Sequence, residues 1–151
     1  VREVRARDRR IAELDERIAV EVEASGTTLT EVFGVGPILA AKIVGIVGNV
    51  GRFPSKAHFA SYAGVAPIEA SSGEVVRHRL SLAGNRRLNQ LMHMIAVCQA
   101  RSDPRGGAYH RKKLAEGKSR REAMRCLKRR VSDAVFGALV ADSARASLAP
   151  T

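Results

Sequence analysis

Apolar side chains recur in this sequence three and four residues apart, in short blocks closed by glycine, proline or a small polar residue. Leu88, Leu91, Ile95 and Cys98 follow that spacing, as do Met124, Leu127, Val131, Val135 and Leu139. A period near 3.6 puts each set on one face of a helix and does not fit the two-residue alternation of a half-buried strand. The chain therefore reads as mainly α. Its 151 residues suffice for one domain with a real core, or one domain plus a helical extension. Hydrophobic residues make up 45%, aromatic residues only 4%, and Trp is absent, so wholesale disorder is not expected and the core has to be aliphatic. No run approaches the roughly 18 apolar residues of a membrane span. The alternately basic and acidic N-terminus has no signal-peptide pattern, and Val1 in place of Met suggests a processed or excised piece.

Residues 2–24 read as a charged helix. Val4, Ile11 and Ile18 stand seven apart with Leu14 at the complementary position, giving about three heptads of a coiled-coil-like seam that Arg7 and Glu21 interrupt. Packing on its own domain and pairing with another chain both fit, and the segment offers a surface for homo-oligomers. Ser25-Gly26-Thr27 breaks the helix, and Thr28 with Glu31 makes a capping box for a short helix at 29–33. Pro37 suits the first turn and Gly48 the end of a helix over 38–47, apolar nearly all round and expected to be buried. Ser55 suits an N-cap and Gly64 a stop.

Residues 65–84 lack a helical period and read as a loop, with room for a short hairpin around Glu74–Leu82. A helix is expected from about 86 to 100, a turn over 103–107, and a short basic helix over 108–116 closed by Gly117. Ser119 with Glu122 makes a second capping box before the last helix, which is expected to fray after Ser143. The domain reading is a coiled-coil-like helix over 1–25, a compact helical domain over 26–143 and a tail over 144–151.

The formal charge is +11, which calls for a polyanionic partner: nucleic acid, or an anionic membrane surface as the plainer competitor. The charge is concentrated. Residues 1–24 hold six basic and seven acidic side chains, whereas residues 101–130 hold twelve basic and three acidic ones. Arg111, Lys112, Lys113, Arg120, Arg121, Arg125, Lys128 and Arg129 form a basic stretch that gains affinity by displacing counterions from phosphates, or else a solvated face. Cys98 and Cys126 lack metal spacing and read as reduced core residues of a cytosolic protein. The four histidines show no zinc spacing, and no metal or other cofactor is expected in this chain.

Leu29 to Ile43 carries Gly34-Val35-Gly36-Pro37 ahead of an apolar helix, the pattern of a helix-hairpin-helix. Glycines allow the backbone to approach a ligand, and the following helix aims its amides and positive dipole end at the turn, where a DNA phosphate fits. An ordinary turn between packed helices fits as well. Lys42 lies in that helix, to touch phosphate or to snorkel.

Farther on, the chain reads Arg52-Phe-Pro-Ser, then Ala60-Ser-Tyr-Ala-Gly-Val-Ala-Pro67, then Ser71-Ser72-Gly73, then a basic segment ending Gly84-Asn-Arg-Arg-Leu88. With the glycine hairpin, this order of motifs resembles the C-terminal domain of transposases of the insertion sequence 110/116/902 family, which includes Piv-type DNA invertases. The matched block spans about residues 29–96. The resemblance implies a serine that attacks the DNA backbone to form a phosphoserine linkage. It also implies a separate RuvC-like domain with a DEDD carboxylate set for Mg2+, a composite site between subunits and, in several members, a bridge RNA that guides target choice. Carried onto this chain, the nucleophile is Ser71 or Ser72, with Ser71 favoured because the second position of the pair tolerates Thr. Glu74 and Val75 stand where the family pattern has Gly and Lys, which removes loop flexibility and a positive charge.

A serine hydroxyl needs a base or a metal to become a good nucleophile. Arg77, Arg79, Arg86 and Arg87 are the candidates to hold the scissile phosphate, and His78 is a candidate for proton transfer. No DEDD set is evident here, so the chain is expected to bind DNA, with guide RNA as a further partner, and to be inactive without the RuvC-like domain. The location expected is the bacterial cytoplasm, at the nucleoid. The alternatives are a non-catalytic helix-hairpin-helix DNA-binding module, including a truncated transposase remnant, and a self-associating helical module whose charge is incidental.

Overall fold

The computed structural model describes residues 1–72, 75–79 and 84–149, with backbone alone for 68–72 and 75–79. The architecture is mainly α, as the periodicity requires. Six α-helices are described: α1 (Arg2–Ala24), α2 (Pro37–Val47), α3 (Lys56–Tyr62), α4 (Arg86–Ser102), α5 (Pro104–Ala115) and α6 (Arg120–Leu148). Single 3-10 turns at Leu29–Glu31 and Val50–Arg52 join the first three. Between α3 and α4 an antiparallel ribbon pairs β1 (Ile68–Ser72) with β2 (Val75–Arg79).

The long helix α6 organises the packing: α3, α4, α5 and both 3-10 turns rest on it. Leu127, Val131, Val135 and Leu139 are buried on its inner face, as their spacing predicts, whereas Met124 is only partly buried. Its start is the expected capping box, with Ser119 Oγ accepting from the Glu122 N–H and Glu122 accepting from the Ser119 N–H. Phe59, fully buried, supplies the largest core side chain and meets Phe53 edge-on at 5.3 Å and Phe136 at 5.4 Å.

Several boundaries differ from the sequence reading. Thr28 makes no cap for the short helix at 29–33, which is only one 3-10 turn. Its hydroxyl instead donates to Asp142 at 2.7 Å, as does that of Thr27, and the Thr28 N–H also points at this carboxylate. The Asp142 group, paired as well with Arg145, clips the end of α6 to the chain just after α1. That clip, with the Ser147 hydroxyl donating to the Ser143 carbonyl, accompanies a helix that runs on to Leu148 rather than fraying. The expected turn at 103–107 is the first turn of α5: Asp103 accepts from the N–H groups of Arg105 and Gly106, and Pro104 takes the first helical position. Glycine is there for packing, since a Cβ on Gly106 would sit 2.7 Å from Gln99 Cβ.

Burial raises the pKa of Asp142, but the hydrogen bonds from Thr28 and Thr27 and the charge of Arg145 outweigh it and leave it below the ordinary value. A carboxyl depressed by folding stabilises above its unfolded pKa, and this contribution is lost as pH falls through the folded value. Asp142→Ala should therefore lower stability at neutral pH by about 1–3 kcal/mol. In urea melts, the gap from the parent chain should narrow in acid; a constant gap would rule out the ionic part of this clip.

In α1 no residue is buried. Val4 is 59% and Ile11 56% exposed, while Ile18 and Val22 are half-buried near its C-terminal end, where α1 lies against α2. Helix α2 buries Ala40, Ile43 and Val47 but exposes Val44, so it is covered on one side rather than all round. No helix among the described residues is long and apolar enough to cross a membrane.

Candidate nucleic-acid interface

The ribbon that carries the serine pair is held at a narrow neck. Gly64 leads into it and Gly84 leaves it, and the two backbones touch: a Cβ on Gly84 would lie 2.5 Å from the Gly64 Cα and N atoms. Only glycine allows that approach. Hydrogen bonds close the neck. The Asn85 N–H donates to the Tyr62 carbonyl at 2.6 Å, and the Asn89 amide donates to the Ala63 carbonyl at 3.0 Å and the Gly64 carbonyl at 2.9 Å. Asn85 also caps α4 through the Leu88 N–H. Its side-chain amide donates to the Tyr62 hydroxyl at 3.2 Å. The Arg52 guanidinium lies 4.5 Å from the centres of both the Phe53 and Tyr62 rings, and its hydrogen bond lowers the Tyr62 pKa.

Ser71 and Ser72 lie at the end of β1, not on a loop. Ser71 pairs with Val76 and Ser72 with Val75, while Ala70 faces Arg77, Glu69 faces His78 and Ile68 faces Arg79. Opposed residues in an antiparallel ribbon share a face, and adjacent positions belong to opposite faces. Ser72 therefore belongs to the face of positions 77 and 79, and Ser71 to that of positions 69 and 78. The hairpin expected around Glu74–Leu82 is displaced toward the N-terminus. Ile68-Glu-Ala-Ser-Ser has little strand propensity of its own, and pairing with Val75–Arg79 supplies what the local sequence lacks. Gly73, Glu74, Leu80 and Leu82 lie outside the described residues.

Beside the neck is an open groove of about 350 Å³. One wall is the backbone from Gly64 to Pro67, which runs directly into β1, and the other is α6 with Tyr109 of α5. Lys118, Arg125, Lys128, Arg129 and Arg130 line it, against the carboxylates Glu122 and Asp133. Arg129 bonds Asp133 at 3.0 Å, and Arg130 lies 4.3 Å from the centre of the Tyr109 ring, a cation–π contact.

The basic stretch is thus divided. Arg125, Lys128 and Arg129 converge on the groove, whereas Arg111, Lys112, Arg120 and Arg121 are exposed on α5 and the first turn of α6. Lys113 bonds Glu116 at 2.7 Å, which raises its pKa. Lys128 is not a surface lysine: it is 7% exposed. Arg86 and Arg87 are exposed in the first turn of α4, where the helix dipole disfavours cations and favours an anion beside them. Sequence reasoning missed Lys118, Arg130, Tyr109 and Asn89. The spacing of 122, 125, 126, 129 and 133 traces one polar face of α6 and would have found part of the groove.

In the glycine hairpin, the first helix is only the 3-10 turn Leu29–Glu31. Gly34 has φ +88° and packs on α4, where its Cβ would meet Cys98 Cβ at 3.3 Å. Val35 is buried and its N–H bonds the Val32 carbonyl, while Gly36 and Lys42 are exposed. Cys98 and Cys126 are free and half-buried. Among the described residues no three His, Cys, Asp or Glu side chains cluster as metal ligands.

Comparison with known proteins places the chain in a family. Residues 26–111 match the model of the transposase IS116/IS110/IS902 family. Over 132 residues, 87% of this chain, the sequence is 33% identical to the insertion element IS110 uncharacterized 43.6 kDa protein of Streptomyces coelicolor, covering 33% of that protein. It is 33% identical over 107 residues, 70% of this chain, to the insertion element IS116 uncharacterized 44.8 kDa protein of Streptomyces clavuligerus, covering 27% of it. Against the insertion element IS900 uncharacterized 42 kDa protein of Mycobacterium paratuberculosis, it is 31% identical over 99 residues, 64% of this chain and 25% of the relative. The chain spans a third or less of the length of these curated relatives. The matched residues and these identities show that the chain belongs to the IS116/IS110/IS902 family of transposases.

Proposed function

We propose that this chain is the C-terminal, DNA-handling part of a transposase, and that Ser71 or Ser72 is its nucleophile. The observation that carries this reading is a ribbon bearing two serines, rooted at a glycine neck beside a groove lined by five cations. In the reaction, the serine oxygen bonds to phosphorus as one backbone P–O bond breaks. The serine proton passes to a base, and the released sugar oxygen takes up a proton. One ester replaces another, so the covalent intermediate keeps the energy needed for rejoining. The described residues offer no metal cluster. Mg2+ is assigned to a RuvC-like DEDD domain elsewhere in the full-length protein. The hairpin at Gly34, Val35 and Gly36, with Lys42, is read as a helix-hairpin-helix contact to DNA phosphate; Gly36 is open to solvent there. A guide RNA and homo-oligomers complete the reading.

With Mg2+, guide RNA and labelled DNA, the full-length protein should give a protein–DNA adduct that survives a denaturing gel. This chain alone should bind DNA without cutting it. Each phosphate contact should steepen the salt dependence of binding by about 0.9 in log–log slope for duplex DNA. The second reading, a binding module without chemistry, is favoured by Glu74 and Val75 in place of the family's Gly and Lys. It predicts salt-sensitive binding with no adduct. Weak binding without salt dependence would reject both.

A further inference from the structure

Lys128 is an ammonium in an expensive place. It is 7% exposed on a helix whose other buried positions are Ala, Leu, Val and Ser. No carboxylate pairs with it among the described residues. Burial, and after it the charge of Arg125, pushes its pKa down. Among the described residues its hydrogen bond runs from Nζ to Asn89 Oδ1 at 2.9 Å. Asn89 in turn uses its amide hydrogens to hold the carbonyls of Ala63 and Gly64 at the neck. An ammonium has three donors, so two further N–H groups stand available on the side chain.

Lys128 also lines the groove, together with Lys118, Arg125, Arg129 and Arg130. Of the two carboxylates there, Glu122 accepts from the Ser119 N–H at 2.8 Å and its charge acts on Lys118 and Arg125, while Asp133 pairs with Arg129 at 3.0 Å, so neither is paired with Lys128. A buried cation among cations is stabilised by an anion brought from outside. Guanidinium groups suit phosphate oxygens in pairs, and the Val65, Ala66 and Tyr109 side of the groove can take an apolar sugar edge.

We infer that this groove binds one phosphodiester of a nucleic-acid strand, and that Lys128 is a positioning residue linking that phosphate through Asn89 to the neck of the serine-bearing ribbon. The inference rests on the nucleic-acid reading above and adds a site and a route to it. Pro67 lies four residues before Ser71, about 13 Å of extended strand, so a strand held in the groove lies within reach of the serine end of the ribbon.

The test uses this chain, labelled with ¹⁵N and titrated with a short single-stranded DNA and with RNA of the same sequence. At saturation the Asn89 side-chain amide and the Gly64 N–H should shift, and the strand that moves them more identifies which polymer occupies the groove. Lys128→Met should abolish those shifts and weaken binding about tenfold. It should also reduce the log–log salt slope by about 0.7 for a single strand. The double variant Lys118→Ala and Arg130→Ala changes only exposed groove cations, so it tests the site even if Lys128→Met does not fold. It should lower the slope while the melting temperature stays near that of the parent. Binding of either strand with the Asn89 and Gly64 signals unmoved, or an unchanged slope in the double variant, would overturn the inference and leave nucleic-acid binding intact. Binding of neither strand would overturn the broader reading.

Discussion

Ser71→Ala should abolish the covalent protein–DNA adduct of the full-length transposase, and Ser72→Ala should leave it in place. The register puts the two adjacent serines on opposite faces of the ribbon. Ser71 belongs to the ribbon face of Glu69 and His78, and Ser72 to the face of Arg77 and Arg79. A serine needs a base to lose its proton at neutral pH, and position 78 is diagonal to position 71 across the ribbon, about 7–8 Å between backbones. The effect is complete loss, read on a denaturing gel against labelled DNA. Loss with Ser72→Ala alone would assign attack to the arginine face, with Arg77 and Arg79 holding the phosphate beside its nucleophile. Retention of the adduct in both single variants and in the double variant would remove the serine pair from the chemistry.

Gly84→Ala should lower stability far more than a methyl added where the backbone is open. Its Cβ would sit 2.5 Å from two backbone atoms of Gly64, so a flexible side chain cannot move aside; one strand of the neck has to. Overpacking of this kind costs about 3 kcal/mol. The displacement also strains the Asn85 bond to Tyr62 and the cap of α4. Gly36→Ala is the control, because nothing lies within 4 Å of a Cβ there. Urea midpoints should separate the two variants widely. Equal midpoints would mean that the Gly64–Gly84 contact opens freely, and the neck would lose its role as the fixed root of the ribbon.

Much of the helical fold was legible because it is written locally. Ser55, Ser119 and the glycines after α2, α3 and α5 mark ends, and Leu127 to Leu139 mark a face. Misreadings occurred where a distant residue decides. Thr28 has the sequence of a cap, but its hydroxyl is taken by a carboxylate 114 residues away. Gly106 and Gly107 look like a turn because glycine disfavours helix, yet they sit within α5 where α4 leaves no room for a side chain. The serine pair looks like a loop because serine has weak strand preference, and only the opposite strand makes it one edge of a ribbon. The candidate site was legible as motifs but not as a groove. Basic residues over 101–130 were visible in sequence, while the separation of Lys128 from its exposed neighbours needed the packing of α4 on α6. The first two heptads of α1, readable as a seam, remain uncovered in this chain.

The Asp142 clip gives α6 a mechanical character. From Arg125 to Asp142 the helix runs about 26 Å at the usual rise, with the groove near one end and the root of α1 tied to the other. Along that length α3, α4 and α5 pack on the helix. One helix thus both forms a wall of the groove and anchors the segment from which α1 departs.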